Sequence, residues 1–241
     1  MDDLITPHRI TSYECGADLQ MKASAFLHYC QEVAEQHADL NGLGYDWGMS
    51  QGLIWVEVQG DFEFLRRPRW KEEVLLRTNT GKATPLQARR FVEMTAAGTG
   101  ELLARADLMW VLIDVQTRRP VPLRKAQLDI NELCPAICTP ASFCADEERA
   151  LTASRSFEAP LRDVDFNGHI NNAAYLIWAL DTLPDELRPA GAPARVHITF
   201  RHETLAHTPI TVEHRRLNSC TRHTMSSGDQ TKAEVDILWA S

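Results

Sequence analysis

The stretch Arg162-Asp163-Val164-Asp165-Phe166-Asn167-Gly168-His169-Ile170-Asn171-Asn172 runs straight into Ala173-Ala174-Tyr175-Leu176-Ile177-Trp178-Ala179-Leu180. Seven of the first eleven residues are Asp, Asn, His or Arg, and the run that follows is apolar up to Leu180, before Pro184. Such a run is far too short to span a bilayer and is apolar on every side, so it reads as a helix wrapped by sheet. Polar groups at the mouth of a buried helix need partners, because burying each one bare costs roughly 1–3 kcal/mol. A helix cap accounts for one of them: Asn171 or Asn172 caps, and Asp165 suits the positive end of the dipole. Two aspartates, three asparagines and a histidine exceed that job, so the junction reads as a site.

The chemistry expected there is acyl transfer to water. A helix N-terminus offers unpaired backbone N–H groups and partial positive charge. The backbone N–H groups of Gly168 and His169 are the expected oxyanion donors, one such donor contributing roughly 3–4 kcal/mol. Asp165 is placed to attack a bound carbonyl or to activate water, and His169 is of the residue type best suited to assist proton transfer near neutral pH. There is no GxSxG, no phosphate-cradling glycine loop and no HExxH elsewhere in the chain to compete.

Outward from that segment, two stretches follow one plan: a short strand, a helix, then several strands. The first opens with a strand over residues 9–13. A helix follows, with Ala23, Phe26, Leu27, Cys30, Val33, Ala34 and Ala38 at helical spacing, stopped by Asn41-Gly42. The glycines Gly42, Gly44 and Gly48 read as a turn. Strands are expected over 53–58, 61–65, 73–78, 88–95 and 104–115, with a turn at Gly98-Thr99-Gly100. Residues 118–151 carry Pro120, Pro122, Pro135 and Pro140 and read as a connection with one short helix. The second stretch has strands near 154–157, 195–200, 210–216, 223–227 and 233–238. The expected fold is therefore α+β, with units at 1–123 and 153–241 joined by a linker at 124–152.

Composition narrows the partners. The chain has 241 residues, 44% hydrophobic and 24% charged, with a net charge of −8, which argues against nucleic acid as a ligand. The first residues lack a basic region and an apolar core, so a cytoplasmic location and no membrane association are expected. The six cysteines form no CxxC pair, and the closely spaced Cys134, Cys138 and Cys144 have no His at zinc spacing, so free thiols, no metal and no cofactor are expected. The basic run Arg66-Arg67-Pro68-Arg69-Trp70-Lys71 suits either solvated strand ends or the docking of an acidic partner.

At this point the sequence resembles the plant and bacterial acyl-acyl-carrier-protein thioesterases. The resemblance rests on Ile10-Thr11-Ser12-Tyr13-Glu14, Gly52-Leu53-Ile54-Trp55-Val56, Arg67-Pro68-Arg69-Trp70, Met109-Trp110-Val111-Leu112-Ile113-Asp114 and, above all, Asp163 through Tyr175. It implies two tandem hotdog modules in one chain, a pseudo-dimer of long central helices wrapped by curled antiparallel sheet. It implies catalytic roles for Asp165, Asn167, His169 and, on a following strand, Glu203. Many relatives carry a cysteine directly after that glutamate, where this chain has Thr204. The implied substrate is a fatty acyl group on the phosphopantetheine arm of acyl carrier protein, hydrolysed to free acid. Phe26, Leu27, Cys30, Trp55 and Tyr175 are then the expected acyl-chain contacts. Arg66, Arg67, Arg69 and Lys71 are the expected docking residues for the acidic carrier, and a second copy of the chain, as a homodimer, is the other partner considered.

Three other readings stand beside it. An acyl-CoA thioesterase of hotdog type would use the same residues. A hotdog enoyl-thioester hydratase also pairs Asp with His, but with one more intervening residue than the three between Asp165 and His169. An acyl-binding regulator would keep the tunnel without needing an ionisable cluster at its mouth.

Overall fold

The computed structural model describes residues 3–81, 84–126 and 151–240. The chain divides into two compact units, 1–138 and 139–241. The expected linker 124–152 and its short helix lie mostly outside the described residues, as do Cys134, Cys138 and Cys144; a single 3-10 turn, Leu123–Ala126, precedes that gap.

In the first unit the strands are β1 (Leu4–Arg9), β2 (Leu53–Phe64), β3 (Glu73–Thr80), β4 (Gln87–Ala96) and β5 (Leu102–Asp114), in the spatial order β1-β3-β4-β5-β2. Their pairings are antiparallel. Helix α1 (Ala23–Leu40) lies against β1 and β3, and a shorter helix α2 (Tyr45–Gln51) lies against β2. The α1 residues Phe26, Leu27, Cys30, Val33 and Ala34 are buried, with Val74, Leu76, Val92, Met94, Leu108 and Leu112 supplied by the strands. Period-2 burial along β3, buried at Val74, Leu76 and Thr78, is what one helix-facing side of a strand requires.

In the second unit β6 (Leu151–Glu158) leads to helix α3 (Asn172–Thr182), followed by β7 (Pro193–Phe200), β8 (Pro209–Leu217), β9 (Cys220–Ser227) and β10 (Gln230–Trp239). The spatial order, β6-β8-β9-β10-β7, repeats that of the first unit. Helix α3 lies against β8 and β10 and buries Ala173, Ala174, Tyr175, Leu176, Trp178 and Ala179. Each unit is thus a hotdog module, a helix on a five-stranded antiparallel sheet, and the fold is the tandem hotdog expected. Among the described residues no helix is long and apolar enough to cross a membrane.

Three elements differ from the sequence reading. The first strand is Leu4–Arg9 rather than 9–13; Pro7 had masked it, and a strand with only β3 beside it in its unit tolerates the lost N–H. The strands read at 53–58 and 61–65 are one strand, β2, with a bulge between Glu57 and Gln59 that absorbs the break in alternation. The glycine cluster holds helix α2, not only a turn. Gly52 ends that helix at φ +66, and a Cβ on the buried Gly48 would stand 2.7 Å from the Leu53 carbonyl oxygen.

Candidate active site

The polar segment ahead of α3 is a closed hairpin. Val164 and Ile170 form an antiparallel bridge. The Asn171 N–H donates to the Asp163 carbonyl at 2.8 Å and the Asp165 N–H to the His169 carbonyl at 2.8 Å. Between them Phe166, Asn167 and Gly168 make the turn, closed by the Gly168 N–H on the Asp165 carbonyl at 3.0 Å. Gly168 has φ +81, the left-handed conformation that a three-residue hairpin loop requires at its last position. The Asp165 carboxylate accepts the Asn167 N–H at 2.8 Å, an Asx turn that leaves its second oxygen without a partner among the described residues.

Asn171 caps α3: its side-chain oxygen accepts the Ala173 N–H at 2.9 Å. The hairpin is fastened to the helix behind it, since the Trp178 indole donates to the Asp163 carboxylate at 2.8 Å. It is fastened to the loop after β7 as well, the Ile170 N–H donating to the Thr204 carbonyl at 2.9 Å.

That second attachment brings Glu203 to His169. The carboxylate lies 3.3 Å from Nε2, with the two side chains 40% and 29% exposed. Glu203 sits in the loop beyond Phe200, not on a strand as expected. The loop is held by the N–H groups of Arg201 and His202 on the Lys232 carbonyl and by the Lys232 ammonium on the Glu203 carbonyl at 3.1 Å. Thr204, where a nucleophilic cysteine would stand, is 1% exposed and its hydroxyl accepts the Tyr175 hydroxyl at 2.9 Å. It is an anchor of the site, with no open face for attack.

Asp165, Asn167, His169 and Glu203 therefore gather on one hairpin and the loop pinned to it. The oxyanion assignment to Gly168 does not hold in this geometry: its N–H is spent on the turn, and it precedes the helix cap rather than lying within the helix. The expected acyl contacts separate likewise. Phe26, Leu27 and Cys30 are buried in the first unit's core, where Phe26 meets Phe62 and Phe64 edge-on, and Tyr175 is buried beside Thr204. Trp55 does line a partly open pocket in the first unit, together with Ala34, Glu35, Ala38, Leu43 and Trp110 among others. Sequence reasoning missed these residues because they lie over the second half of α1 and two different strands.

The four docking cations also divide. Arg66 forks onto Glu72 and Glu101, and Arg67 donates to Asp18 at 2.6 Å. Arg69 and Lys71 are exposed and pair with no carboxylate among the described residues; the Lys71 ammonium lies 4.0 Å over the Trp70 ring.

Comparison with known proteins agrees with this frame. A palmitoyl-acyl carrier protein thioesterase of Cuphea hookeriana chloroplasts is 28% identical over 210 residues, 80% of this chain and 50% of that protein. The chain spans about half the length of the curated relatives it matches. Among solved structures, one assigned provisionally as an oleoyl thioesterase, from Lactobacillus plantarum, superposes with a TM-score of 0.86 at 26% identity, covering 100% of this chain and 96% of that one. An acyl-ACP thioesterase from Bacteroides thetaiotaomicron gives 0.85 at 17% identity, covering 99% and 98%, which supports the fold. Residues 5–130 match the acyl-ACP thioesterase N-terminal domain and residues 147–241 the C-terminal domain, so the chain belongs to the acyl-ACP thioesterase family.

Proposed function

We propose that the protein hydrolyses fatty acyl thioesters of acyl carrier protein, releasing free acid, with Asp165, Asn167, His169 and Glu203 as its catalytic group. The observation that carries the reading is the hairpin itself. It holds a carboxylate with one unpartnered oxygen and an imidazole paired to a second carboxylate within one short loop, in a chain of this family. Asp165 attacks the thioester carbonyl or takes the proton of an attacking water. Glu203, 3.3 Å from Nε2, fixes the orientation of the His169 ring, which passes the proton on. Asn167 supplies a side-chain amide beside them for water or the carbonyl oxygen.

Arg69 and Lys71 are the cations left to meet an acidic carrier, Arg66 and Arg67 being engaged within the fold. Charge reversal at Arg69 and Lys71 is expected to raise KM for carrier-bound substrate with little change in kcat. The reading includes a cytoplasmic place of work, checked by fractionation.

The test is release of free acid by the purified protein from acyl-carrier-protein thioesters of graded length, beside CoA thioesters of the same acyl groups. Asp165→Ala is expected to lower turnover by roughly 10²–10⁴ with unchanged melting behaviour. Near-normal turnover by that variant would remove Asp165 from the chemistry. A clear preference for CoA would remove the carrier from the proposal.

A further inference from the structure

The loop that carries Glu203 is not held in place by Glu203 itself. The carboxylate meets His169 with both side chains partly exposed, and an exposed pair of this kind contributes too little to order a loop. Strand β7 ends at Phe200, so residues 201–204 have no ladder of their own. The geometry of the pair therefore depends on whatever fixes their backbone. On one side that is the hairpin, through Thr204. On the other it is a single residue of β10. The Lys232 carbonyl accepts the Arg201 N–H at 2.8 Å and the His202 N–H at 3.2 Å, and the Lys232 ammonium donates to the Glu203 carbonyl at 3.1 Å. Three successive loop residues are thereby tied to one strand residue.

A β-bulge is what lets Lys232 reach them. Across β9, Thr231 faces Ser226 and Ala233 faces Met225, which leaves Lys232 as the extra residue. The bulge suspends the alternation of β10 and re-aims the side chain, so that Lys232 and Ala233 are both buried. Lys232 is 8% exposed. Its second bond goes to the Gln230 side-chain oxygen at 2.5 Å, and no carboxylate pairs with it among the described residues. An ammonium buried on two uncharged oxygens is unfavourable for stability, because such acceptors recover only part of its lost hydration. For the fold alone, an apolar side chain of similar length would serve better. A residue that weakens the fold directly behind the loop bearing Glu203 points to a demand of the site. The other ties from this loop to β10 lie at the surface, the Arg201 guanidinium on Glu234 at 2.9 Å and the His202 ring on the Thr231 carbonyl at 2.8 Å.

We propose that Lys232 is a positioning residue for the hydrolysis: it acts through the backbone of Glu203, keeping that carboxylate on the His169 ring, and not on the substrate. The proposal rests on the thioesterase reading above and deepens its site. Misplacing a catalytic group by about 1 Å can cost on the order of 10²-fold in rate, so a loose Glu203 loop should be read in turnover before it is read in binding.

The test is a double-mutant cycle on the full chain, read as free acid released from one acyl-carrier-protein thioester. Lys232→Met, which keeps most of the side chain and removes its donors, is expected to lower kcat about tenfold or more with KM within about twofold. In a Glu203→Ala background the same substitution should change kcat by less than about twofold, because the group through which Lys232 acts is gone. Lys232→Arg, which restores a cationic donor, should recover part of the loss. Arg201→Ala, which cuts a surface tie of the same loop, should stay within about twofold. Should Lys232→Met fail to fold, Lys232→Gln carries the cycle. Unchanged kcat in the Lys232 variant overturns the proposal and leaves the thioesterase reading intact. So does a loss that persists undiminished in the Glu203→Ala background, which a general weakening of the fold would produce. If the wild type cleaves no thioester, the function reading fails by itself. Positioning is then judged from the His169 ring signals in NMR spectra, assigned with His169→Gln. Lys232→Met is expected to move them in the direction that Glu203→Ala does, and unmoved signals overturn the proposal.

Discussion

The loops that lead into α1 and α3 are one backbone device carrying two sets of side chains. Ahead of α3 the bonds run from the Asn171 N–H to the Asp163 carbonyl, from Asp165 to His169, and from Gly168 to Asp165. Ahead of α1 they run from Lys22 to Glu14 at 2.8 Å, from Gly16 to Gln20 at 2.9 Å, and from Leu19 to Gly16 at 3.0 Å. The last turn residue has positive φ in both, +81 at Gly168 and +59 at Leu19. Each hairpin is pinned by a later loop, Ile170 to the Thr204 carbonyl and Met21 to the Pro68 carbonyl. Each is also tied to its helix by an acidic side chain and an aromatic donor fifteen residues on, Asp163 with Trp178 and Glu14 with Tyr29. The contents differ. Where the second module has Asp165, Asn167, His169 and Glu203, the first has Gly16, Asp18, Gln20 and Arg67, with Arg67 spent on Asp18. The hairpin is therefore a structural clasp present in both modules. Chemistry is assigned to the second by its carboxylate and imidazole, not by its shape.

The largest effect expected from this comparison is on turnover. Asp165→Gly gives the second clasp the residue of the first, and hydrolysis should fall by roughly 10²–10⁴ while the hairpin bonds persist. The reciprocal Gly16→Asp, whose Cβ would meet only the Asp18 side chain at 3.0 Å, should leave turnover within about twofold. A comparable loss from both changes, read in one acid-release assay, would show that the clasp's shape and not its side chains is being measured.

This duplication also explains what the sequence could show. The polar density of residues 162–172 is visible because it exceeds what a cap needs. The matching clasp at residues 14–22 is not, because Gly16, Leu19 and Gln20 carry no chemical signature and Leu19 hides a left-handed turn residue behind an apolar side chain. The long strands and both central helices were legible from apolar spacing. Helix α2 was not, since its glycines serve close packing against Leu53 rather than a turn alone. Glu203 was legible only through the family resemblance, because its position depends on the Lys232 carbonyl and the Thr204 anchor, contacts distant in sequence.

The acid–aromatic ties should differ in strength. Burial alone would raise the Glu14 carboxyl, but hydrogen bonds from the Tyr29 hydroxyl and the Thr11 N–H outweigh it and hold its pKa below the usual value. Glu14→Ala should cost roughly 1–3 kcal/mol of stability in urea titration, and Asp163→Ala, whose carboxylate is held by the Trp178 indole, no more than that. The sign with pH follows. A carboxyl depressed in the folded state contributes stability above its unfolded pKa, about 4.5, and that contribution is lost as pH falls through the folded value. A Glu14→Ala variant should therefore lose less stability than wild type on going from pH 5 to pH 3; an equal loss would detach Glu14 from the acid response.

The two sheets differ in acid response at matching positions. Thr78 faces Val92 across β3 and β4, where His214 faces His223 across β8 and β9, both fully buried with Nδ1 atoms 2.8 Å apart. Burial, and then the charge of Arg155, pushes His214 down to about 4; burial, with His214 and Arg188, pushes His223 well below its usual value. Both are neutral when folded and take up protons on unfolding. Their contribution is therefore whole above about pH 6.5 and declines as pH falls toward 4, on the order of 1–2 kcal/mol by pH 5 for His214. His223→Val, copying the first module, should flatten the urea midpoint between pH 7 and pH 5, and an unchanged slope would locate that acid sensitivity elsewhere.

The smallest effect is at the caps. Asn171 and Lys22 occupy the same position with nearly the same backbone, φ −60 and ψ 142 against φ −64 and ψ 144, yet only Asn171 caps its helix with its side chain. Asn171→Ala should cost roughly 1 kcal/mol, and Lys22→Ala a fraction of that. Lys22→Asn is the sharper probe: the backbone is already set for an Asx cap, so the change should stabilise the first module by up to roughly 1 kcal/mol. Against this stands the loss of the Lys22 ammonium bond to the Tyr13 carbonyl at 2.8 Å, which is exposed and therefore weak. A destabilised Lys22→Asn protein in urea titration would mean that the equivalence of the two clasps stops at the backbone of the hairpin and does not extend into the first turn of the helix.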